Sequence, residues 1–187
     1  MHRAVFLDRD GTLNIEKGYL YRFEDWEWIP GAVEAIQRIN KMGYLTIVVT
    51  DQAGIARGYY ADSAVHALHK KVGCLLDLAE ATIDAYYFCP HHPEHGEERQ
   101  CTCRKPEPGM LYQAQRDYDV DLRQSWLIGD KLTDIEAGLR AGVSPILVRT
   151  GYGEQENTSA YPGLCCEADV LSAVRYIESN CPREVCF

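Results

Sequence analysis

The chain has 187 residues, a net charge of −9 and 46% hydrophobic residues, which fits one folded domain with a sizeable core and excludes a disordered chain. The acidic balance argues against nucleic acid as a partner, because a phosphate backbone needs a basic face, but it leaves room for a small anion held by local cations. No apolar run approaches the roughly 18 residues of a membrane span. The N-terminus passes straight into a strand-like segment with no signal peptide, so no membrane partner and a cytoplasmic location are expected. With no oligomer signal, a monomer is the expectation.

In chain order, apolar β-branched runs at 4–7, 45–49, 85–88, 125–128 and 145–148 alternate with helix-period stretches at 31–42, 62–81, 109–118 and 134–141. A last short strand and a closing helix are expected over 167–179, after a Ser/Asn/Gly-rich tail from Glu154 to Pro162. Strands alternating with helices imply βαβ units and a parallel sheet covered on both faces. The expected fold is therefore α/β: a Rossmann-like three-layer α/β/α domain spanning 1–187. The stretch 16–29 is aromatic-rich. Tyr19, Tyr21, Trp26 and Trp28 there read as closing an edge of the core, with Glu16, Lys17, Gly18 and Tyr19 as a rim that touches substrate.

Ligands of parallel sheets gather at the carboxyl ends of the strands. Those ends read Asp8-Arg9-Asp10-Gly11-Thr12, Thr50-Asp51-Gln52-Ala53-Gly54, Cys89-Pro90-His91 and Gly129-Asp130-Lys131. If the strand period persists, Asp8 and Asp10 point to one side and Arg9 faces away. Two carboxylates side by side must share a proton or a cation. Asp130 supplies a third, and hard oxygen donors with room for water suit Mg²⁺. The alternative reading makes these aspartates helix caps or turn formers.

Eight cysteines in such a chain point to metal binding or free thiols rather than disulfides. Cys89-x-His91 and Cys101-x-Cys103 offer three thiolates and one imidazole, a closed tetrahedral Zn²⁺ set. The loop 89–104 is polar and poor in core residues, so a metal staple would give it shape. Such a site is structural, and it would place Arg104 and Lys105, which follow the last ligand. His92 and His95 stand as alternatives to His91, and a Cys101–Cys103 redox pair as an alternative to zinc. Cys74, Cys165, Cys166, Cys181 and Cys186 lack ligand spacing and read as buried or incidental.

"DRDGT" at 8–12 resembles the D-x-D-G-T signature of the haloacid-dehalogenase-like phosphohydrolases. Thr50, ending "LTIVVT", resembles their second motif, Lys105 in "CRKPEPGM" their third, and Asp130 with Asp134 in "GDKLTD" their fourth. The resemblance implies that Asp8 attacks phosphorus and forms an aspartyl-phosphate, while Asp10 protonates the leaving oxygen and then deprotonates water. It implies that Thr50 and nearby amides hold the phosphoryl oxygens, that Lys105 neutralises transition-state charge, and that Asp8, the Asp10 carbonyl and Asp130 hold Mg²⁺. Asp134 reads either as a helix cap or as a partner orienting Lys105 or Lys131, outside the metal's direct ligands.

Neither the stretch from Gly11 to Val49 nor that from Thr50 to Arg104 has room for a cap domain, so a capless, open site is expected. With the zinc loop, "KGY" at 17–19, "DQAGIARG" at 51–58, "YYFCPHHP" at 86–93 and "CRKPEPGM" at 103–110 are similar to the family of D-glycero-D-manno-heptose 1,7-bisphosphate 7-phosphatases. That similarity implies a sugar bisphosphate substrate in nucleotide-activated heptose synthesis, for lipopolysaccharide core or surface glycans. The residues matched to substrate are Glu16–Tyr19, Asp51, Gln52, Ala53, Arg57, Arg104 and Lys131, with the three cations as grips for a second phosphate. Histidinol-phosphate phosphatases share the zinc loop and are the alternative, in which an acidic residue such as Glu16 would meet an amine. A non-catalytic phosphosugar-binding protein is the third reading. Asp51 departs from the family's usual Asn, and a carboxylate there repels phosphate unless it turns away or caps backbone.

Overall fold

Strands buried on both faces must be apolar at every position, and β1 (Ala4–Leu7) is buried at all four of its residues. It forms the centre of a parallel sheet with β2 (Leu45–Asp51), β3 (Ala85–Cys89), β4 (Trp126–Gly129), β5 (Ser144–Val148) and β6 (Cys165–Glu167). The order is β3-β2-β1-β4-β5-β6 and every pairing is parallel. The helices are α1 (Ala32–Lys41), α2 (Asp62–Leu78), α3 (Gly109–Tyr118), α4 (Leu132–Ala141) and α5 (Val170–Asn180). This computed structural model describes residues 1–180, so Cys181 and Cys186 lie outside the described residues. Among those described, no helix is long and apolar enough to cross a membrane.

Successive strand residues point to opposite faces, and this divides the core in two. Val5, Leu7, Val48 and Ile128 pack against Ile36 of α1, Leu68 of α2 and Val174 of α5. Ala4, Phe6, Val49 and Leu127 pack against Met110 and Leu111 of α3 and Ala137 of α4. The expected three layers follow, and each fully buried aliphatic side chain contributes about 1.5–3 kcal/mol. Helix α1 shows how the pattern is written, since Ala32, Ala35, Ile36 and Ile39 are its buried residues, one stripe at helical spacing.

Several boundaries differ from the sequence reading. The ladder continues to Thr50↔Phe88 and Asp51↔Cys89, so β2 and β3 reach their polar tips and Cys89 sits inside a strand. Helix α2 stops at Leu78, followed by Glu80 at a φ of 54°. Strand β6 begins at Cys165, pairing Cys165 with Ile146 at the sheet edge. In the aromatic stretch, Trp26 and Trp28 meet edge to face at 5.0 Å and pack on the core, whereas Tyr19 stays exposed. The core-edge reading therefore holds for the two tryptophans, whereas Tyr21 is also exposed and stacks on Tyr60 at 4.8 Å.

Chain order reverses at β1, which lies between β2 and β4. The crevice beyond the carboxyl ends of these strands is where a doubly wound sheet takes its ligand.

Candidate active site and metal centres

Strand β1 ends at Leu7, and Asp8 starts a tight turn in which the amides of Leu13 and Asn14 donate to the Arg9 carbonyl. The period of two no longer applies beyond Leu7, so Arg9 does not face away from the carboxylates. It folds back, fully buried, and grips both oxygens of Asp10. Asp10 also accepts from Asn14 Nδ2 and Gln52 Nε2, each at 3.0 Å. Gln52 Nε2 donates in addition to Thr50 Oγ1 at 2.9 Å, and Tyr60 OH donates to Gln52 Oε1 at 2.8 Å.

Asp8 faces a different set. Lys105 Nζ donates to Asp8 Oδ1 at 2.6 Å and to the Val49 carbonyl at 3.0 Å, and it pairs with Asp134 Oδ1 at 2.5 Å. Burial opposes the lysine's charge, but Asp134 and Asp8 outweigh it and raise its pKa. Removing this ammonium would leave buried carboxylates without their counter-charge, a loss of about 3–5 kcal/mol. Asp134 also caps α4, its Oδ2 accepting from the Lys131 amide at 3.0 Å. It therefore performs both tasks that the sequence offered as alternatives for it.

Asp8, Asp130 and Asp134 lie close enough to offer oxygens to one cation. Asp130 Oδ2 accepts from the Tyr152 amide at 2.8 Å, while its buried Oδ1 has no partner. A buried orphan carboxylate oxygen is costly unless an ion meets it. Burial, then Asp8, push Asp130 up to about 8. Burial also pushes Asp8 up to about 6, against the pull of Lys105. A divalent cation would remove both penalties, so the donor set fits Mg²⁺. Two glycines let the chain close over Asp130: a Cβ on Gly11 would stand 2.2 Å from Asp130 Oδ2, and one on Gly151 2.1 Å.

Asp8, Asp10, Lys105 and Asp134 open into a cavity of about 440 Å³, the size of a small-metabolite site, while Asp130 is fully buried and not on its wall. Its wall includes Asp8, Asp10, Glu16, Gly18, Tyr19 and Thr50. It also takes in Asp51, Gln52, Ala53, Arg104, Lys105 and Lys131. Two expected substrate residues lie off this wall. Lys17 is tied to the Asp25 carbonyl and to Glu27, each at 3.0 Å. Arg57 stands behind the wall, at 2.8 Å from His95 Nε2 and 2.9 Å from His92 Nε2. The wall also contains Tyr60, His92, Thr133 and Tyr152, none of which sequence reading placed at a substrate site. Tyr152 underlies the Lys131 ammonium at 4.5 Å, an arrangement visible only once the chain after β5 returns to the crevice. Glu16 is held by the Gly18 amide at 2.6 Å and lies 3.8 Å from Lys131 Nζ. Asp51 lines the cavity, but its carboxylate is engaged by the backbone. Its Oδ1 accepts from the Lys105 amide at 3.4 Å, and burial raises its pKa despite Lys105 and Arg104 nearby.

The cysteine loop forms a second centre. Cys89 Sγ lies 3.2 Å from Cys103 Sγ and 3.6 Å from Cys101 Sγ. His91 Nδ1 is 3.3 Å from Cys103 and 3.6 Å from Cys89. A zinc tetrahedron with Zn–S bonds of about 2.3 Å has S···S edges of about 3.8 Å, close to this spacing. The other ring nitrogen, His91 Nε2, faces Glu98 at 3.0 Å, a carboxylate that orients a ligating imidazole. Hydrogen bonding from Cys89 and from His91, against burial, pushes the Cys103 thiol down, while the same contact with Cys103 and burial push Cys89 up, so the two sulfurs share a proton that a metal would displace. The donors fit zinc, with His91 rather than His92 or His95 in the set. Arg104, next in the chain, donates from Nη1 to the His91 carbonyl at 3.1 Å, which locks the loop to the cavity wall.

Known proteins match this arrangement. Residues 102–173 match the family model described as "HAD-hyrolase-like". A D-glycero-beta-D-manno-heptose-1,7-bisphosphate 7-phosphatase of Haemophilus influenzae is 42% identical over 167 residues, covering 86% of this chain and 91% of that one. The D-glycero-D-manno-heptose-1,7-bisphosphate 7-phosphatase of Thermosynechococcus vestitus is 44% identical over 186 residues, covering 93% and 94%. The crystal structure of a D,D-heptose 1,7-bisphosphate phosphatase from B. bronchiseptica, complexed with magnesium and phosphate, superposes with a TM-score of 0.83 at 33% identity, over 95% of this chain and 98% of that one. The chain belongs to the HAD-like family of D-glycero-D-manno-heptose-1,7-bisphosphate 7-phosphatases.

Proposed function

We propose that this chain hydrolyses the C7 phosphate of D-glycero-D-manno-heptose 1,7-bisphosphate through an aspartyl-phosphate on Asp8. The observation that carries the reading is one cavity holding Asp8, Asp10, Lys105 and Asp134, with the cations Arg104 and Lys131 on its wall. In a chain of net charge −9, that local surplus of cations suits a substrate with two phosphates.

Asp8 supplies the nucleophilic oxygen, and Lys105 meets the charge that develops on the phosphoryl oxygens. Thr50, on the wall of the same cavity, offers a further contact to the same group. Asp10 gives a proton to the leaving C7 oxygen and then takes one from the water that opens the aspartyl-phosphate. Each of its oxygens accepts two N–H groups, so one of these contacts opens when Asp10 carries the proton. Magnesium bound by Asp8, Asp130 and the Asp10 carbonyl would neutralise phosphate charge and fix the line of attack. Because the Asp10 side chain is taken up by Arg9, Asn14 and Gln52, its share in holding a cation falls to the backbone. Arg104 and Lys131 grip the C1 phosphate, which stays on the product. The zinc loop keeps Arg104 and Lys105 in place.

Glu16 is the residue that would favour a cationic substrate such as histidinol phosphate, but its contacts to Gly18 and Lys131 leave it poorly placed for an amine. The test is Mg²⁺-dependent phosphate release from both anomers of the heptose bisphosphate, beside fructose 1,6-bisphosphate and histidinol phosphate. The reading expects at least about a tenfold preference in kcat/KM for a heptose bisphosphate, with the C1 phosphate retained. Equal or better turnover of histidinol phosphate would sink it.

A further inference from the structure

A buried polar network runs from Asp10 through Arg9 to His69 on α2. Arg9 is 1% exposed. Its Nε donates to Asp10 Oδ2 at 3.1 Å, and its Nη2 donates to Asp10 Oδ1 at 3.0 Å and to the Leu20 carbonyl at 2.8 Å. The remaining nitrogen, Nη1, lies 3.3 Å from His69 Nε2. Arginine has donors only, so Nε2 accepts and the ring proton sits on Nδ1. Burial, then the charge of Arg9, push the imidazole down to about 3, so it remains a neutral acceptor.

Packing alone does not account for an imidazole here. The other buried residues of α2 are Val65, Leu68, Val72 and Leu76, all aliphatic. The His69 ring stacks on Tyr86 at 4.3 Å with 18° between planes, a role that any flat ring would fill. Its Nδ1 has no partner, so one buried polar atom is left unsatisfied while the other meets Arg9. Such an arrangement costs stability relative to an apolar ring unless the contact with Arg9 matters. Of the donors around Asp10, Arg9 alone is fixed at its far end by both a side chain and a backbone carbonyl.

We propose that His69 is a positioning residue, whose Nε2 fixes the Arg9 guanidinium plane that aims the Asp10 carboxyl at the leaving oxygen. It touches neither substrate nor metal. The inference rests on the reading of Asp10 as proton donor and acceptor.

The test compares kcat and KM for the sugar bisphosphate and for p-nitrophenyl phosphate in the zinc- and magnesium-loaded full chain. Nitrophenolate leaves without needing a proton, whereas the sugar alkoxide needs one, and hydrolysis of the aspartyl-phosphate is common to both esters and does not enter kcat/KM, so the ratio of the two kcat/KM values isolates proton delivery. That ratio is unaffected by a partial loss of folded protein. His69→Phe keeps the ring on Tyr86 and removes the acceptor. It should lower kcat/KM for the sugar ester about tenfold and for the aryl ester less than about threefold. His69→Gln, which can still accept from Arg9, should recover at least part of the ratio. Asp10→Asn should shift the ratio further than either. If Asp10→Asn leaves the ratio unchanged, the reading of Asp10 fails. If Asp10→Asn shifts it and His69→Phe does not, the role of His69 is overturned.

Discussion

The carboxylate crevice and the cysteine loop lie side by side, yet they are built in opposite ways. Asp8, Thr50, Asp130 and Asp134 come from three strand ends and the first turn of a helix, each at most 6% exposed, and the sheet brings them together. Cys89, His91, Cys101 and Cys103 are contributed by one stretch of chain, and only Cys89 lies in a strand. The crevice gathers like charges that a folded core must hold against their repulsion. The loop has little core of its own and relies on its ligands. Loss of a ligand should therefore be chemical in the crevice and structural in the loop. The two meet at Lys105, two residues past the last cysteine and in contact with Asp8.

Four experiments press on this difference, from the largest expected effect to the smallest. Asp8→Asn should lower phosphate release by at least several hundredfold, because it removes the proposed nucleophile. Zinc content and the thermal midpoint should stay near those of the parent, since the sheet and the loop are untouched. Cys103→Ser should do the reverse. It should lose zinc, open the segment 89–104 to limited proteolysis and lower kcat/KM at least about tenfold through misplaced Arg104 and Lys105. The sheet core should still melt cooperatively. Full activity in a zinc-free protein would separate the loop from the chemistry. Arg104→Ala should raise KM for the bisphosphate about tenfold and change turnover of a monophosphate less than about threefold.

The smallest effect is a pH dependence. Asp8 and Asp130 ordinarily titrate near 3.8 and are raised to about 6 and about 8 in the fold. A raised carboxyl contributes stability that is full below 3.8 and lost as pH rises through the folded value. Protein freed of magnesium but not of zinc should therefore lose stability between about pH 5 and 8. The rise in thermal midpoint on adding Mg²⁺ should be larger at pH 8 than at pH 6. A shift that shrinks with rising pH would contradict the assignment of these carboxylates to the cation.

How much of this the sequence discloses follows the same division. Strands β1, β2, β4 and β5 are legible because burial in the sheet interior favours unbroken apolar runs, and the half-buried edge strand β3 through its run of aromatic residues. The start of β6 at Cys165 is not, because a half-exposed edge strand carries no such constraint. Asp8, Asp10 and Asp130 are legible because ligands gather where strands end, and the cysteine set because its ligands lie close in sequence. Arg9 is misread, since the alternation that would turn it outward stops at Leu7. Tyr152 and Glu98 look like ordinary exposed polar-loop residues until the chain's return path is known. Arg57 carries the charge expected of a substrate grip, but two imidazoles hold it behind the wall. Asp51 looks like a liability beside a phosphate, and its contact with the Lys105 amide explains how it is accommodated.

The most direct measurement traps the enzyme during turnover of the heptose bisphosphate. Acid quenching, borohydride reduction of the acyl phosphate and peptide mass spectrometry would read which carboxyl carried the phosphoryl group. A single reduced residue at Asp8, absent without substrate, is the predicted result. Undiminished phosphate release with the Asp8 peptide unmodified, or the label on another carboxylate, would contradict the account.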